Sequence, residues 1–319
     1  MRKRLDSLNA LNRRAREGAF QVADLDWSLA VDRSRPWEPD GIGALSFLPS
    51  VAALDSAQRL RCNQLHALSV SEQFVWFERQ LIHAIGNVLQ ARQLPPALEE
   101  ALRHFIREEE THIEMFWRLL EKAEPGWYRQ RRPRLFRVGA LPQLVMDQVA
   151  GHPLTLLAWV WLALFIEERT LFWSRSYIGA EKRAAGGIDP LHVQVHRFHF
   201  LDEVRHYQLD QHLLTWLYDR EPHWKKVLSA CMFRHFMRAY VAARRSATRI
   251  IGQLSGEYPQ LRPEVAPRML RELQEVGADL AYHEKNFSPV AHPRSLALLA
   301  EYPEHDALWA LLPAAGRAS

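Results

Sequence analysis

Cysteine is almost missing from this chain. Cys62 and Cys231 are the only two in 319 residues, too few for a disulfide framework and in keeping with free thiols in a reducing cytoplasm. A strong charge of one sign is missing too. The 41 basic and 37 acidic side chains leave a formal charge of +4, too little to argue for nucleic acid as a partner. No apolar run is long. The longest, Leu154 to Ile166, has 13 residues, whereas a membrane span needs about 20. It runs directly into Glu167 and Glu168, so it reads as a buried helix. The N-terminal stretch MRKRLDSLNALNRRAREG is basic but has no apolar core, which gives no secretory signal. The expectation is a cytoplasmic protein without a membrane span. No period-two alternation, internal repeat, low-complexity tract, or flavin, haem or iron–sulfur motif is visible.

Long helical patterns are present instead. Pro36, Pro39, Pro49, Gly41 and Gly43 break any periodicity in residues 1–55, which read as an irregular but ordered arm packed on the rest. Asp55 reads as an N-cap for a helix to about residue 93. Leu94, Pro95 and Pro96 make a tight connection to a second helix over about 97–122. The run RQRRPRLFR then lies in a loop of residues 123–140 and reads as a solvated surface. A short helix near 141–150 precedes a third long helix to about 178. Asp189-Pro190, an N-cap followed by proline at the first helical position, opens a fourth, to about 218. Further helices are expected over 222–253 and 264–286. The division is an arm to residue 55, a helical domain over 56–290 and a C-terminal tail over 291–319. Short loops between long helices favour antiparallel neighbours, hence an all-α bundle.

Each of the four long helices carries carboxylates among apolar neighbours. The second holds Glu109 and His112, three apart and so on one face. The fourth repeats this with Glu203 and His206, and His199 lies one turn earlier on the same stripe. On the first helix, Glu78 has Phe74, Val75, Leu81 and Ile82 at helical spacing, and is preferred to Glu72, which remains an alternative. On the third, Glu168 has Phe165, Leu171 and Phe172. It is preferred to Glu167, whose stripe holds Thr170 and Ser174. Burying four carboxylates without cations would be prohibitive. A Glu from each of two helices with Glu-x-x-His from each of two others is the ferritin-like arrangement for two iron or manganese ions. Either Glu-x-x-His alone is weak evidence. Two of them, 31 residues after Glu78 and 35 after Glu168, suit two antiparallel hairpins facing each other. His83, His104, His196, His235 and His283 have no such constellation and read as surface or hydrogen-bonded histidines. Trp76, Met115, Phe116, Phe172 and Trp173 are pocket candidates, although core packing is the ordinary role of such residues.

His-x-x-x-Glu-x-x-His on the fourth helix resembles the p-aminobenzoate N-oxygenase (AurF-like) family of di-iron oxygenases. The segment DWSLAVDRSRPWEPDGIGALSFLP and the following LDSAQRLRCNQL are similar to that family's N-terminal region. The resemblance covers about residues 25–290. It implies a ferritin-like bundle and a seven-ligand site of Glu78, Glu109, His112, Glu168, His199, Glu203 and His206. It also implies dioxygen activation at two iron ions through a peroxo stage, with manganese as a possible substitute. Oxygen transfer to an arylamine-like small molecule, an external electron donor whose identity is unknown, and a homodimer are implied as well. Glu168-Arg169 with Phe172 is also similar to soluble acyl-carrier desaturases, which keeps C-hydroxylation or desaturation as alternatives. A non-enzymatic iron-binding bundle is the third reading.

Overall fold

The computed structural model describes residues 6–91, 93–150, 152–181, 187–242 and 244–316, and among them there is no strand. The helices are α1 (Leu8–Glu17), α2 (Pro49–Ala52), α3 (Ser56–Ala91), α4 (Pro96–Ala123), α5 (Pro125–Tyr128), α6 (Ala140–Ala150), α7 (Leu156–Glu181), α8 (Pro190–Tyr218), α9 (His223–Ala242), α10 (Arg244–Glu257), α11 (Val265–Glu275), α12 (Leu280–Asn286) and α13 (Pro293–Leu299). The four long ones, α3, α4, α7 and α8, make the bundle. α3 packs chiefly along α4 and α7 along α8, while α4 crosses to α8 and α3 to α7. The fold is thus ferritin-like, two hairpins closed face to face.

Local chemistry sets the ends. The Asp55 carboxylate accepts from the Gln58 amide at 2.8 Å, and the Gln58 side chain accepts from the Asp55 amide at 3.2 Å, a reciprocal cap that starts α3. Asp189 caps α8 by accepting from the His192 amide at 3.0 Å, with Pro190 at the first helical position. The same carboxylate accepts from the Asp32 amide at 2.7 Å and so ties the arm to α8. Trp37 is fully buried and stacks on His192 at 5.0 Å. At Gly43 a Cβ would lie 2.2 Å from His66 Nε2, so a larger residue would have to displace the imidazole that Glu38 holds at 2.8 Å.

The arm is not irregular throughout. Residues 8–17 form α1, capped by Ser7, which lies across α4 and α8. Its buried residues are only Leu11, Asn12 and Ala15, so its apolar stripe is too thin to stand out among the arginines. Asn12 fixes it by donating to Ala97 O at 2.9 Å. At the other end of the chain, α13 packs on α7 and the 3-10 segment Pro303–Leu311 packs on α9.

Candidate metal centre

The middle of the bundle is polar. Six of the seven residues singled out above meet there in two overlapping groups. Glu109, His112, Glu203 and His206 form one, and Glu78, His112 and His199 the other, with donor atoms within 4.8 Å of one another in each. Every member is buried. His112 Nδ1 lies 3.2 Å from Glu109 and 3.7 Å from Glu203, and His206 Nδ1 lies 3.2 Å and 3.6 Å from the same two carboxylates. His199 presents Nε2, 2.8 Å from Glu203 and 3.3 Å from Glu78. Helical spacing makes this possible, because residues three and four apart share a face.

The electrostatics are those of carboxylates and imidazoles crowded together away from water. Burial first, and then the neighbouring Glu109, push the Glu78 carboxyl well above its usual range. Burial also raises Glu203, against the pull of His206. For Glu109 burial is again the largest influence, but His206 and His112 together outweigh it and hold the carboxyl down at about 2. His112 and His206 are raised well above a normal imidazole. Burial opposes this, and Asp202 and Glu109 overcome it at His112, as do Glu109 and Glu108 at His206. His199 is pushed well below, by burial and then by the charged His112. Both oxygens of Glu78, one each of Glu109 and Glu203, and Nδ1 of His206 are buried without a hydrogen-bond partner. Orphaned carboxylate and imidazole atoms converging at one point fit divalent metal ions.

A second layer grips the imidazoles from behind. His112 Nε2 donates to Asp202 at 3.1 Å, and His206 Nε2 donates to Glu108 at 2.8 Å. Arg205 joins both carboxylates, 2.7 Å from Glu108 and in direct contact with Asp202. Nothing in the local pattern marks Glu108, Asp202 or Arg205, because Glu108 and Asp202 find their imidazole partners on the other helix. Around His199 the support is aromatic. Phe74 and Phe116 meet its ring edge-on at 5.1 and 5.0 Å, and Trp173 meets Phe74 at 6.0 Å. Of the pocket candidates, Phe116 and Trp173 are therefore near the site. Trp76 instead donates to Gln143 of α6 at 2.6 Å, and Phe172 lies under Lys285.

The alternatives for the remaining carboxylates also separate. Glu72 is buried but turned away. It accepts from Tyr128 Oη at 2.6 Å and from the amides of Arg134 and Leu135 at 2.7 and 2.8 Å, so it holds the loop after α5. Glu168, expected to join the other six, does not. Its carboxylate accepts from the amides of Arg294 at 2.9 Å and Ser295 at 2.7 Å, at the start of α13.

An antiparallel four-helix bundle with Glu-x-x-His on two helices defines the class: a ferritin-like di-metal oxidoreductase. The chain belongs to the p-aminobenzoate N-oxygenase AurF family, whose model matches residues 2–252, a family of di-iron oxygenases. No curated protein matches. Among solved structures, a mutant R2-like ligand-binding oxidase with an aerobically reconstituted Mn/Fe cofactor is 19% identical, with 85% of this chain and 93% of that one covered and a TM-score of 0.49. Another mutant of that name, reconstituted anaerobically, is 20% identical over the same shares with a TM-score of 0.45. No helix among the described residues is long and apolar enough to cross a membrane.

Proposed function

We propose that this oxygenase transfers oxygen to the nitrogen of an arylamine-like small molecule, at two iron ions held by Glu78, Glu109, His112, His199, Glu203 and His206. The observation that carries the reading is the third imidazole. His199 joins the two Glu-x-x-His pairs at 2.8 Å from Glu203, in a chain of the N-oxygenase family. When bound, the iron pair supplies dioxygen activation, with electrons from an external donor. The protein's own part is to hold and aim. The three carboxylates offset the positive charge of the ions, and the imidazoles add neutral donors once their protons have left. Asp202 and Glu108 fix the ring orientation of His112 and His206. Phe74 and Phe116 keep water from the His199 side.

The test is anaerobic ferrous loading of the full chain, followed by a single turnover with an arylamine such as p-aminobenzoate and dioxygen. Mass spectrometry should find the hydroxylamine, whose formation takes two electrons from the amine and two from the iron pair. Ring-hydroxylated product alone would move the assignment to a C-hydroxylase. We further propose a homodimer, supported by Trp224, Val227 and Leu228, which leave an exposed apolar stripe on α9. Light scattering at micromolar concentration checks it.

A further inference from the structure

The loop between α5 and α6 carries more positive charge than its surroundings neutralise. Arg129, Arg132, Arg134 and Arg137 are exposed, and no carboxylate of the described residues lies within ion-pair distance of any of them. Arg131 alone is paired, with Glu114 and Glu121. Arg134 reaches Gln253 of α10. Arg249, four residues earlier on the same face of that helix, adds another exposed guanidinium.

A run of like charge is usually loose and solvated, but this one is held. Glu72, inside α3, accepts from Tyr128 Oη and from the amides of Arg134, Leu135 and Phe136. Arg131 keeps a left-handed backbone with φ 49°, which a non-glycine residue holds only where its surroundings fix it. The half-buried Trp127 lies at the foot of the patch, under Arg134 at 4.3 Å and Arg61 at 5.5 Å. Aromatic contacts continue inward from there. Trp127 meets Tyr128 at 6.3 Å, and Tyr128 meets the buried Trp117 of α4 at 6.3 Å. Trp117 follows Phe116 in the chain, and the Phe116 ring meets His199 at 5.0 Å.

A fixed cluster of unpaired guanidinium groups around a tryptophan suits a negatively charged protein partner. The oxygenase needs such a partner for its electrons. We propose that residues 129–137, with Arg249, dock an acidic one-electron carrier protein, and that its electrons enter at Trp127. The proposal rests on the external donor of the reading above. Two carriers in succession each lose one electron, and each electron takes one iron from ferric to ferrous. No atom or proton is transferred in these steps. The rings from Trp127 to Phe116 lie between the docked carrier and His199.

The probes are two acidic electron carriers, a [2Fe–2S] ferredoxin and a flavodoxin, with acyl carrier protein as an acidic protein that has no redox centre. Binding to the metal-free full-length chain is measured by isothermal titration. The electron carriers should bind, and more weakly as salt rises from about 0.02 to 0.3 M, because exposed charges are screened. Arg129→Glu with Arg132→Glu should weaken binding at least about tenfold. Arg220→Glu with Lys226→Glu makes the same change in net charge near the end of α8 and should leave binding unchanged. In the iron-loaded protein, reduction by pre-reduced ferredoxin, followed by stopped-flow absorbance, should slow in proportion in the loop variant. Reduction by dithionite should not. Failure of both electron carriers to bind, equal binding by the loop variant, or acyl carrier protein bound as tightly would overturn the proposal. Binding and reduction without N-oxygenated product would support it and remove the N-oxygenation reading instead.

Discussion

At the scale of single residues, the imidazoles report how the site is built. His112 and His206 are each anchored through Nε2 to a carboxylate, and Arg205 ties the two anchors together. Asp202→Asn should lower metal affinity by about 10- to 100-fold, measured by competition with a chelator. Arg205→Met should weaken the hold on both rings at once with both imidazoles intact. His199 faces Glu203 and Glu78 through Nε2, but no carboxylate holds its Nδ1, and its ring rests on Phe74 and Phe116. His199→Ala should keep the fold, since alanine favours helix, and should lower metal affinity. Weaker Mn(II) binding than in the parent, read by competition with a chelator, is the expected outcome. These candidate ligands were legible because helical spacing puts them on one stripe. Their anchors were not, because a hydrogen bond between α4 and α8 leaves no mark in either local pattern. Glu168 shows the limit of reading burial from neighbours. Phe165, Leu171 and Phe172 reported correctly that it is buried but carried no information about which way it points.

At the scale of elements, the four long helices follow their apolar periodicity and their caps, and so were readable to within a few residues. Two elements were not. α1 has only three buried residues among its arginines, and its place depends on Asn12 finding Ala97. The loop of residues 129–139 is largely exposed, as read, but what the sequence did not mark is its tether to Glu72 inside α3. One carboxylate there satisfies Tyr128 and the amides of Arg134 and Leu135. Glu72→Ala leaves these donors unpaired, and Leu135 is buried. A loss of about 2–4 kcal/mol is expected, with new protease cleavage between residues 129 and 139. Urea melts and limited proteolysis measure the two effects. A cut pattern like the parent's would mean that the loop is held by other contacts.

At the scale of the whole molecule, buried histidines outside the centre set the acid limit of stability. His305 packs against Trp161 at 4.5 Å, and burial pushes its imidazole down to about 4, while an unfolded histidine titrates near 6.5. The folded form thus binds fewer protons than the unfolded form between these values. Its stability is complete above about pH 6.5 and falls as pH drops toward 4, by about 3 kcal/mol for this residue. Melts of the metal-free protein at pH 7, 5 and 4 should show the decline, and His305→Asn should show less of it. The latch between Glu168 and α13 has a consequence for synthesis. A ribosome completes all four bundle helices before residues 293–295 exist. Until then Glu168 has neither of the amides it accepts from in the finished protein, while the apolar side of α7 can already pack along α8. The last buried carboxylate of this helix therefore finds its partners late in the life of the nascent chain.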